Sequence, residues 1–170
     1  MQEITIDQAH ELSRAWQKAG ESWHFHALFP DCVFNTQNIY YALVLENRTT
    51  GQTYVVYSDN GFAKASQELL KLRYGNNILN KNQTPANHSD KSIRPILDQC
   101  EVYSQNHITW HHHMFFPDCI FNQNPGKWNI VMEGRGQPHI LNALYDQEPV
   151  EDLQQIEIAY FKEIDPTFSE

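Results

Sequence analysis

Thirteen residues of this chain are written almost twice: WHFHALFPDCVFN at 23–35 and WHHHMFFPDCIFN at 110–122. No other feature narrows the fold as much, because a repeat at a fixed offset commits both copies to one local structure. Sliding the sequence against itself by 87 positions extends the match without a gap. Val44 then falls on Val131, Glu46 on Glu133, Arg48 on Arg135, Asp59 on Asp146 and Gln67 on Gln154. The expected organisation is one domain over 1–170, built from repeats at 4–75 and 91–162 and joined by a polar linker at 76–90. Two copies are too few for a stacked solenoid, and a half of about 70 residues is marginal alone. The halves are therefore expected to pack about a pseudo-two-fold axis, like a homodimer fused into one chain.

Each half follows the same grammar. In TIDQAHELSRAWQKAG, Thr5 and Gln8 form a capping box, Ala9, Leu12, Trp16 and Ala19 make an apolar stripe, and Gly20 stops the helix. The counterpart around Ile96 to Tyr103 has Pro95 in its first turn, where proline is tolerated. The shared motif reads as a β-hairpin turning at Pro30-Asp31 and Pro117-Asp118. YYALVLE and KWNIVME read as strands, as do TYVVYS and HILNALY. The closing helices carry Phe62, Leu69 and Leu72 in one half and Val150, Leu153, Ile156, Tyr160 and Ile164 in the other. The fold class is α+β: two α-β-β-β-β-α halves with largely antiparallel sheet.

The histidines carry the chemistry. Strand side chains alternate, so His24 and His26 share a face, as do His111 and His113. Two imidazoles at that spacing can reach one ion at about 2.0–2.1 Å per nitrogen. In the hairpin register Phe29 pairs with Cys32, His26 lies opposite Asn35, and Asn122 takes the same place in the second half. A looser turn would swing Asp31 or Cys32, and Asp118 or Cys119, to the histidine side. Glu46 and Glu133 would complete a two-histidine, one-carboxylate set suited to Fe(II) or Zn. The plainer reading of these glutamates, a charge ending a strand beside Arg48 or Arg135, is favoured. His139, without a partner in the first copy, is a spare ligand. Either the four histidines meet around one ion, or each half holds its own. No catalytic residue is assigned.

Composition removes several classes of partner. A formal charge of −9, with no basic cluster, argues against nucleic acid. Apolar runs such as YYALVL are too short to span a bilayer, and the N-terminus lacks a signal-peptide pattern. A cytoplasmic location follows as the default. The three cysteines show no disulfide framework and are expected as buried thiols. The leading expectation is a cytoplasmic protein binding a divalent metal, zinc or iron, and acting on a small molecule if a ligand position stays open. Whether it is an enzyme is left open. The rival is a metal-free binding module, with Trp23, Trp110, Tyr40, Tyr41 and Trp128 lining an aromatic pocket between the halves.

Overall fold

In the computed structural model, residues 1–35, 39–80 and 93–164 are described. The chain divides into two compact units, Met1–Ile78 and Leu79–Glu170. Among the described residues there are four α-helices and two sheets, one of four strands and one of three, and the content is mixed α+β. No helix among these residues is long and apolar enough to cross a membrane.

In the first unit, β1 (Gln2–Glu3) precedes α1 (Ile6–Lys18). Thr5 caps that helix: its hydroxyl accepts from the Gln8 amide, and the Gln8 side chain answers the Thr5 amide. This reciprocal arrangement satisfies two otherwise open donors. Three strands follow, β2 (Trp23–Leu28), β3 (Tyr41–Asn47) and β4 (Thr53–Ser58), and then α2 (Ala63–Tyr74). The sheet order is β1-β4-β3-β2, antiparallel except where β1 runs parallel to β4. Both helices pack on the face of the sheet that carries Trp23, Phe25, Leu45 and Tyr54. Trp16 meets Tyr54 at 6.0 Å between ring centres, and the Trp23 indole N–H donates to Gln17. The buried stripe of α2 is Ser66, Leu69 and Leu70 rather than Phe62 and Leu72, so that helix is rotated from its expected setting.

The second unit has α3 (Arg94–Gln105), then β5 (Trp110–Phe115), β6 (Trp128–Gly134) and β7 (Ile140–Tyr145), and closes with α4 (Val150–Ile164). Its sheet order is β5-β6-β7, entirely antiparallel. Pro95 sits in the first turn of α3, as expected. Trp110 is buried like Trp23, and its indole N–H donates to Ser104, which occupies the repeat position of Gln17. Truncating either tryptophan to alanine would cost about 3–5 kcal/mol. Gly134 ends β6 directly under Tyr103 of α3, where an added Cβ would come within 2.5 Å of the ring. In α4, Leu153, Ile156 and Phe161 are buried, whereas Val150 is exposed.

The expected hairpin is the main correction. Neither unit forms the strand expected after the Pro-Asp turn, because FPDC-x-FN folds as consecutive tight turns; the first unit still counts four strands through β1, and the second has three. The Cys32 amide donates to the Phe29 carbonyl and the Asn35 amide to Cys32; Cys119 and Asn122 repeat the pattern. Asn35 then ties the loop with its side chain, donating to the carbonyls of Phe29 and Tyr40. Asn122 does the same to Phe116 and Lys127. Neither asparagine pairs with a histidine across a ladder. Of the expected linker, residues 76–79 form a short 3-10 helix, and Ile78 and Leu79 are buried. Residues 81–90 of it, with His88, lie outside the described residues.

Candidate metal centre

The register of β2 on β3 sets the first cluster. His24 lies opposite Glu46 and His26 opposite Val44, so both imidazoles and the carboxylate project from one sheet face. That face is the one turned away from α1 and α2. The His26 Nε2 lies 2.8 Å from Glu46 Oε2, and the two imidazole rings stand 5.0 Å apart at 70°. His24, His26 and Glu46 are all at least 95 % buried.

The second unit repeats this geometry on its own sheet. His111 lies opposite Glu133 and His113 opposite Val131. Both imidazoles direct Nε2 at the same oxygen, Glu133 Oε2, at 2.8 Å from His111 and 3.0 Å from His113. The rings are 4.9 Å apart at 69°, close to the values in the first unit. His111, His113 and Glu133 each offer a ligand atom within 4.8 Å of the others, and His26 and Glu46 do so in the first unit. Buried groups of this kind could hold a metal ion. Burial works to raise the Glu133 carboxyl, but the contacts from His111 and His113, and their charge, outweigh it and hold the group well below the usual carboxylate range.

The glutamates are thus not surface charges at strand ends, the reading favoured from sequence. Glu46 and Glu133 are buried on the histidine face. Two signals in the sequence pointed that way. His24 and Glu46 are separated by the same interval as His111 and Glu133, and both glutamates close an otherwise apolar run, ALVLE and IVME. The other candidates divide by exposure. Asp31 and Asp118 are exposed on the turns after β2 and β5, and His139 is exposed ahead of β7. Cys32 and Cys119 are buried in those turns, and neither they nor Cys100 form a disulfide. Cys100, on α3, has its thiol pushed up to about 12 by burial.

Sequence reasoning assigned no role to His112. It points from β5 to the helix side, where its Nε2 lies 2.9 Å from Glu157 Oε1 on α4. Trp23 and Trp110 also face the helices of their own units, where they anchor the core. No family model matches the chain, and no curated protein or solved structure shows significant similarity to it.

Proposed function

We propose that this protein binds divalent transition metal, zinc or iron, at His-x-His plus glutamate sets in both units: His24, His26 and Glu46 in the first, His111, His113 and Glu133 in the second. One observation carries the reading: two imidazole nitrogens converge on a single carboxylate oxygen, deep in the protein, at 2.8 and 3.0 Å. Ligand atoms each about 2.0–2.1 Å from a common ion and at right angles to one another stand about 2.9 Å apart. The same spacing suits a hydrogen bond, so distance alone favours neither reading. Convergence of two rings on one buried oxygen, with the same ring geometry built in both units, favours the ion.

Two imidazoles and one carboxylate leave coordination positions for further ligands. Cys32 and Cys119, buried and outside any disulfide, are the thiols available to fill some of them. A position left to water would let the ion act as a Lewis acid or activate oxygen, and the protein would then be an enzyme acting on a small molecule. The aromatic-pocket alternative is weakened because Trp23 and Trp110 are spent in packing beneath helices. The two units are read as products of an internal duplication. A cytoplasmic setting, where thiols stay reduced, fits three cysteines without a disulfide.

The test is metal analysis of protein purified without a polyhistidine tag or a nickel column. The expected result is zinc or iron in up to about two equivalents per chain, half of it lost in His111→Ala/His113→Ala. A chelator should lower the Tm of the wild type, since an ion bound only to the folded state stabilises it. Metal-free protein whose Tm ignores both added ions and chelator would sink the proposal.

A further inference from the structure

The two copies of the motif differ sharply at one inward-facing position: Phe25 in the first unit, His112 in the second. The difference has a counterpart on the opposing helix. Glu157 of α4 stands, by the same offset, where α2 has Leu70. All four positions lie at a helix–sheet junction. Phe25 and Leu70 are buried, and the side chains of His112 and Glu157 are 5 % and 14 % exposed. The His112 ring also sits edge-on to Tyr160, 5.2 Å between centres. Where one unit has two hydrocarbon side chains, the other has an imidazole and a carboxylate in contact.

Such an exchange is not explained by stability. A buried polar or ionised pair rarely improves on well-packed hydrocarbon of similar volume, whereas an unmatched member of such a pair is strongly unfavourable. A chain with two similar sheets and two similar closing helices, however, faces a choice in folding that a single copy does not. Either helix could dock on either sheet, and misassembly of this kind is a characteristic failure of repeated units.

We propose that the His112–Glu157 pair is the recognition element that makes the β5 sheet accept α4 and reject α2. Docking α2 on the β5 sheet would set Leu70 against His112 and bury an imidazole beside hydrocarbon. Docking α4 on the β2 sheet would set Glu157 against Phe25 and bury a carboxylate with nothing to pair with. Both wrong pairings are penalised while both right ones are matched, so specificity comes from the mismatch. The inference rests on the repeat and stands whether or not metal binds.

The test uses the full chain and two paired variants, each of which makes the two junctions alike. His112→Phe/Glu157→Leu gives both units the apolar pair; Phe25→His/Leu70→Glu gives both the polar pair. His112→Phe alone should lower Tm, and adding Glu157→Leu should restore it. After dilution from guanidinium chloride, both paired variants should recover the native species, measured by size-exclusion chromatography, about twofold or more less completely than wild type. The deficit should grow with protein concentration, as helix exchange between chains requires. If either paired variant folds and refolds as completely as wild type, the proposal is wrong. Failure of both to fold at all would also overturn it, because matched pairs would then not be interchangeable.

Discussion

A carboxylate gripped by two imidazoles, as Glu133 is, ties the folded state to pH. Its folded-state pKa lies below that of the unfolded chain, about 4.3. The stability it supplies is therefore fully present above that value and drains away as pH falls below it. In metal-free protein, Tm should drop as pH is lowered from about 5 toward 2. Glu133→Gln should flatten that slope and cost about 1–3 kcal/mol at neutral pH, read by denaturant unfolding at each pH. At this scale the histidines were legible in the sequence, while their partner was legible only as one of two readings of Glu46 and Glu133. His24, His26, His111 and His113 announce themselves by alternation, a property of one strand. Whether Glu46 or Glu133 reaches them depends on the register between two strands, and a slip of one residue would have turned either glutamate to the helix side.

Helix ends show how well the two copies agree, and where they differ at a cost. After α1, Gly20 takes φ 71° while the Glu21 amide donates to Trp16; after α3, His107 takes φ 58° while the Ile108 amide donates to Tyr103. These are the same helix-terminating motif, but only glycine adopts that backbone without steric strain. His107→Gly should therefore raise stability by about 0.5–1 kcal/mol, detectable as a higher midpoint in urea. The capping box of α1 and the proline start of α3 were readable because both depend on neighbours three or four residues away. The motif after β2 and β5 was misread as a hairpin for the opposite reason. Val33-Phe34 and Ile120-Phe121 have strand-forming side chains, but Asn35 and Asn122 fasten the loop to carbonyls on either side of it. That fastening overrides local preference. β1 has only two residues, too few to show any periodicity.

Across the molecule, the offset of 87 positions tells more than any single motif, because equivalent residues make equivalent contacts within each unit. Indole to helix, asparagine to loop and histidine to glutamate all recur in both. Composition alone could have reached neither this nor the departures from it at Phe25/His112 and Leu70/Glu157, which needed a three-dimensional partner to acquire meaning. One departure has a practical side. Gln2 and Glu3 line the outer border of β4, taking up backbone groups there, with Gln2 opposite Tyr54 and Glu3 opposite Val55. A truncation reaching Glu3 would lay that border bare and turn a finished hem into an adhesive one. Chains trimmed this way should scatter progressively more light on storage while the intact protein stays clear.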